Sequence, residues 1–183
     1  MTVFVSLFRA INVGKNKVAM PQLKEMHSRL GFEHPRHYLQ TGNIIFESAE
    51  KDSEKVAGQL KKEFAREFGF ETEVMVRTAA ELEKIRAANP WVGDTAKETK
   101  WLVVMFLSGE PSREAQQALT GAYTGPEDIV FSGKELFLYY VNNIGESKLT
   151  NAYIEKKLKV LGTGRNWNTV NKLLEMMQPE PEK

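Results

Sequence analysis

Short apolar runs alternate along this chain with longer segments whose apolar residues recur three and four positions apart. Residues 3–8, VFVSLF, are β-branched and aromatic and predict a strand. A polar Gly/Asn segment follows. Leu23, Met26 and Leu30 then recur at i, i+3 and i+7, with Pro21 near the start and Gly31 just past the end, which predicts a helix. Residues 36–40 and 43–48 predict two strands, with TGN as the tight-turn signal between them. Val56, Leu60, Phe64 and Phe68 make the apolar face of a helix over 53–68, and residues 73–77 predict another strand.

This order, β-α-β-β-α-β, is the ferredoxin-like pattern. Thr78 and Glu81 then form a capping box for a helix that carries Leu82 and Ile85 and ends at Asn89-Pro90. The order now restarts. Residues 100–108 predict a strand, a helix follows Pro111, and EDIVFS and ELFLYYV predict two strands joined at Gly133-Lys134. Ser147 is placed to cap a helix containing Ile154, Leu158 and Leu161. Val170, Leu173, Leu174 and Met177 predict a last helix from near residue 168, with Asn166 or Asn168 as its N-cap.

The expected fold is therefore α+β, two ferredoxin-like subdomains at 1–77 and 100–177, the second incomplete or modified. Residues 78–99 are expected to connect them and 178–183 to fray. The two halves share no obvious residue identity. A single long mixed sheet is the alternative architecture.

Composition narrows the chemistry. The 183 residues include no cysteine, which excludes disulfides, thiolate metal sites and cysteine nucleophiles. That fits a cytoplasmic location. No apolar run approaches the length of a membrane span. The three histidines, His27, His34 and His37, do not stand at ligand spacing with carboxylates, so no metal or cofactor is expected. Serine-nucleophile, P-loop and dinucleotide signatures are absent.

Formal net charge is +1, but the charges are unevenly placed. Residues 1–24, 34–46 and 156–174 contain no acid. Three polar stretches lie there. The first holds Arg9, Asn12, Gly14 and Lys15, the second Thr41, Gly42 and Asn43, the third Arg165, Asn166, Trp167, Asn168 and Thr169. Guanidinium, ammonium, amide and hydroxyl groups without an acid suit a phosphate-bearing ligand, either a nucleotide or a nucleic-acid segment. The three stretches are expected to converge in a cleft. Two alternatives stand beside this: a metal-independent enzyme acting on a small anionic substrate, and a structural or homodimeric protein in which the same groups satisfy loop backbone.

LFRAINVGKNKVAMPQL, YLQTGNIIF and TGRNWNTVNKLLEM together resemble the bacterial family called domain of unknown function 1697. The resemblance rests on R-x-I-N-V-G near the N-terminus, a Ser-Gly-Asn segment for which this chain has Thr41-Gly42-Asn43, and T-x-R-N-W-N-T near the end. It implies an α+β fold of ferredoxin-like pieces and no activity. It points to the same polar residues that composition singles out.

Overall fold

The structure is a computed structural model, and it describes residues 1–141 and 143–179. The chain forms two compact units, one of Met1–Lys84 with the described residues 172–179, the other of Ile85–Asn171.

The first unit contains β1 (Thr2–Phe8), α1 (Met20–Arg29), β2 (Glu33–Tyr38), β3 (Asn43–Ser48), α2 (Ser53–Phe68) and β4 (Val74–Thr78). Its antiparallel sheet has the order β2-β3-β1-β4. Phe4 and Phe8 of β1, Ile44 and Phe46 of β3, and Val74 and Val76 of β4 share one face. They pack on Leu23 and Met26 of α1 and on Val56, Leu60 and Phe64 of α2. Val5, Leu7, Ile45 and Met75 point the other way and are buried too. Burial on both faces explains why these strands read as continuous apolar runs instead of alternating. Asp52 caps α2 through the N–H groups of Glu54 and Lys55, and Gly69 ends it in the left-handed region.

Within the first core His27 is fully buried. Its Nε2 lies 3.0 Å from Ser6 Oγ and its Nδ1 2.7 Å from the Leu23 carbonyl. Burial pushes its pKa down to about 4, so the ring is neutral and structural.

The second unit repeats the plan. After α3 (Ala79–Ala87), which crosses the boundary between the units, come β5 (Leu102–Leu107), α4 (Arg113–Ala122), β6 (Asp128–Ser132), β7 (Glu135–Tyr139), α5 (Asn151–Leu158) and β8 (Gly162–Asn166). The sheet order is β6-β7-β5-β8, again antiparallel throughout. Met105, Leu107, Leu136 and Leu138 face Leu119 of α4 and Ile154 and Leu158 of α5. α6 (Trp167–Met177) follows β8 without an intervening loop.

Three sequence expectations need correction in this half. The GTGRN segment reads as a polar loop, but it is β8, the fourth strand, and it makes the second ferredoxin-like sheet complete. Its glycines conceal the strand. A Cβ on Gly162 would meet Met105 Cε at 2.5 Å, and one on Gly164 would meet Val103 Cγ1 at 3.1 Å. Side chains of β5 occupy the space where those of β8 would stand. The cap of α5 is Thr150, not Ser147: Thr150 Oγ1 accepts from the Tyr153 N–H at 3.1 Å. α5 ends at Leu158 with Lys159 in the left-handed region, so Leu161 lies outside the helix. In the first half, β2 runs from Glu33 to Tyr38 in place of 36–40. Of the segment expected to fray, 180–183 lie outside the described residues. Among the described residues no helix is long and apolar enough to cross a membrane.

Candidate functional site

The first polar stretch leaves β1 as a closed loop. Arg9 is half-buried where the strand ends, and its backbone N–H donates to the Glu73 carbonyl at 3.0 Å. Asn12 then adopts a left-handed conformation (φ 56°), which asparagine tolerates better than most residues. Its Nδ2 donates to the Val18 carbonyl at 2.9 Å and to the Gln40 carbonyl at 2.7 Å, and its Oδ1 accepts from the Val18 N–H at 2.7 Å. The backbone of Asn12 also donates to Asn16 across a Val13–Asn16 bridge. One side chain thus closes the loop at its base. The tip, Val13-Gly14-Lys15-Asn16-Lys17, is exposed throughout.

The bond from Asn12 to Gln40 brings the first stretch against the second. In the connection from β2 to β3, Asn43 is fully buried and its Nδ2 donates to the Tyr38 carbonyl at 2.8 Å and to Thr41 Oγ1 at 2.9 Å. Gly42 (φ 84°) sits beneath them, its carbonyl accepting from the Phe8 N–H. A Cβ there would lie 2.5 Å from Ile11 Cδ1 and 2.9 Å from Phe8 Cβ. Gly42 is therefore needed for both its conformation and its space.

The third stretch belongs to the second unit. Arg165 is buried at 7% exposure, and its Nη1 donates to Thr163 Oγ1 at 2.6 Å and to the Gly164 carbonyl at 2.9 Å. Burial pushes the guanidinium pKa down to about 10, still well above neutrality. Asn166 donates through Nδ2 to the Lys100 carbonyl at 2.8 Å and accepts at Oδ1 from the Asn168 N–H at 2.9 Å. Of the two candidate caps, Asn166 is the one that caps α6. The Trp167 carbonyl accepts from Asn171 Nδ2 one turn on, Asn168 is exposed, and Trp167 and Thr169 are half-buried. Among the described residues no three His, Asp or Glu side chains come together to hold a metal ion.

The family model described as a protein of unknown function, DUF1697, matches residues 1–137. The chain belongs to this DUF1697 family. The matched span contains the first two polar stretches and ends before the third. No curated protein matches the chain. Among solved structures it is similar to the conserved bacterial protein SP0830 from Streptococcus pneumoniae, at 26% identity and a TM-score of 0.76, covering 98% of this chain and 99% of that one. The likeness extends through both units.

Two groups of residues in this DUF1697 chain escape a reading by composition. Arg77 of β4 is buried at 6% exposure and donates Nη1 to the Val76 carbonyl at 3.0 Å. Its place two residues after Met75, on the same face, was the available signal. The other group is Tyr123, Glu127 and Ser147. The Tyr123 hydroxyl donates to Glu127 Oε2, and Ser147 Oγ donates to Glu127 Oε1 at 2.5 Å. Nothing in their spacing announces that contact.

Proposed function

We propose that this chain is a binding module for a phosphate-bearing ligand, taken at the loop Val13–Lys17 of the first unit. The observation that carries this reading is the Asn12 side chain. Its amide hydrogens and its oxygen are engaged in closing the loop, and the closed loop holds Lys15 and Lys17 in solvent within a segment, 1–24, that contains no acid. Glu73, whose carbonyl meets the Arg9 N–H, has its carboxylate on Lys61 at 2.5 Å. Lysine ammonium groups serve phosphate as point charges, and Gly14 at φ 60° keeps the tip free of bulk beside Lys15.

A second reading is favoured by the same amides. Asn12 directs its N–H groups at the Val18 and Gln40 carbonyls, and Asn43 directs its own at the Tyr38 carbonyl and Thr41 Oγ1, as residues that serve the fold alone do. Calorimetric titration of pyrophosphate, a nucleoside triphosphate and a short single-stranded RNA separates the two. The binding reading expects saturable binding that Lys15→Ala with Lys17→Ala weakens at least about tenfold at unchanged melting temperature. A nucleic-acid ligand also gives a salt slope near −1.4 for two phosphate contacts, because about 0.7 counterions leave a single strand per contact. No binding of any of the three, or equal binding by the double variant, overturns it.

A further inference from the structure

The geometry points to a second binding site, in the second unit, for a small molecule carrying a primary ammonium group on a compact apolar or aromatic body. The site is a groove of about 710 Å³ between the end of α4, the 123–127 loop, Val141, the 143–148 segment and the start of α5. That volume is in the range of small-molecule pockets. It is remote in sequence from the Val13–Lys17 loop and stands or falls independently of it.

Three features select the ligand. The first is Glu127. Each of its carboxylate oxygens already takes one hydroxyl hydrogen, from Tyr123 and from Ser147. The carboxylate also accepts from its own backbone N–H, which leaves one acceptor position open, and none of these donors neutralises the charge. Burial pushes this carboxyl up, but the Ser147 and Tyr123 hydroxyls and the residue's own backbone N–H together outweigh it and hold it below the usual carboxylate range. The group is thus a fixed anion that can accept from an ammonium. Ser147 is itself locked, because its Oγ accepts the Leu149 N–H at 3.0 Å. Burial and the neighbouring Glu127 carboxylate push the Tyr123 phenol up to about 12, so it remains a donor at neutral pH.

The second feature is aromatic. Tyr123 and Tyr153 both line the groove, with ring centroids 5.9 Å apart and planes at 61°. Such a pair offers an edge and a face to an apolar body, and a cation gains further by lying over a tyrosine ring. Tyr153 already attracts one: Lys157 Nζ stands 5.8 Å from its centroid. Lys157 does not line the groove, so it approaches from outside.

The third feature is the rim. Among the described lining residues Glu127 and Glu146 are the acids and Lys148 the only cation. The excess is negative, which repels a carboxylate-only ligand and attracts an amine. Lys148 leaves a place for a carboxylate on a ligand that also bears the ammonium.

The test uses the whole chain and three probes of matched body: 2-phenylethylamine, L-phenylalanine and 3-phenylpropionate. Binding is read by calorimetry and by chemical shifts of the Gly125 and Ser147 amides. The amine is expected to bind saturably at millimolar concentrations and the propionate not to bind. Glu127→Gln, which keeps shape and acceptors but removes the charge, weakens the amine at least about tenfold. Tyr153→Leu, which keeps apolar bulk but removes the ring, weakens it at least about threefold. Tighter binding of phenylalanine than of the amine, lost in Lys148→Ala, places the ligand among amino acids; weaker binding places it among simple amines. Should Glu127→Gln unfold the chain, Tyr153→Leu and the propionate control still decide. The proposal is overturned if the amine does not bind, if the propionate binds as well as the amine, or if folded Glu127→Gln or Tyr153→Leu binds like the unchanged chain.

Discussion

Arg77 and Arg165 occupy the same position in their two sheets. Each is the second-last residue of the strand that completes its sheet, and each lies opposite a valine of the central strand, Val5 on β1 and Val104 on β5. Both are buried, and each donates Nη1 to the carbonyl of the residue before it. The next residue caps the helix that follows directly. Thr78 Oγ1 accepts from the Glu81 N–H at 3.1 Å, and Asn166 Oδ1 accepts from the Asn168 N–H at 2.9 Å. TGRNWNT and VMVRTAAE are two versions of one device: a strand, a buried arginine, a cap and a helix.

That equivalence predicts the behaviour of Arg165. Arg165→Ala leaves Thr163 Oγ1 and the Gly164 carbonyl without this donor and is expected to cost about 1–3 kcal/mol by chemical denaturation. Arg77→Ala is expected to cost a similar amount. Neither change is expected to alter the response to phosphate compounds. A loss of less than about 0.5 kcal/mol at either arginine would contradict a structural role.

Gly42 gives a sharper steric test. Gly42→Ala adds a Cβ where Ile11 and Phe8 already stand, at a φ of 84°. Overpacking together with left-handed strain is expected to cost about 2–4 kcal/mol. The control is Gly31→Ala. It has a similar φ of 82° and open space around it, so it should cost about 1 kcal/mol. Equal losses at the two sites would show that the Ile11 contact carries no weight.

His27 makes stability depend on pH in a known direction. Its pKa is about 4 in the folded chain against 6.5 when exposed. Between those values the unfolded chain binds the extra proton, so stability is full above pH 6.5 and is lost as pH falls toward 4. A shift of this size corresponds to about 3 kcal/mol. Denaturation midpoints from pH 7 to pH 4 should show this fall, and His27→Leu should flatten it. An unchanged slope in the variant would assign the effect to other groups.

Much of the fold was legible because its signals are local. The capping box is one case: Thr78 and Glu81 bond reciprocally, with the Thr78 N–H donating to Glu81 Oε2 at 2.7 Å. The face Val56, Leu60, Phe64 is another. β8 was illegible because its strand character comes from pairing with β5, while its own glycines argue for a loop. The polar stretches were legible as unusual compositions, but their roles were not. Asn12 reads as a donor available to a ligand until Val18 and Gln40 are seen to take its hydrogens. The Tyr123–Glu127–Ser147 contact joins residues up to 24 positions apart, through two loops with no periodicity to connect them.

The central claim is that phosphate is taken at the loop closed by Asn12. The most direct measurement follows backbone amide shifts of the whole chain during titration with pyrophosphate at low salt. The account predicts saturating shifts centred on Gly14, Lys15, Asn16 and Lys17, which vanish in Lys15→Ala with Lys17→Ala and persist in Arg165→Ala. Shifts confined to residues 162–169, or none at any amide, would contradict it.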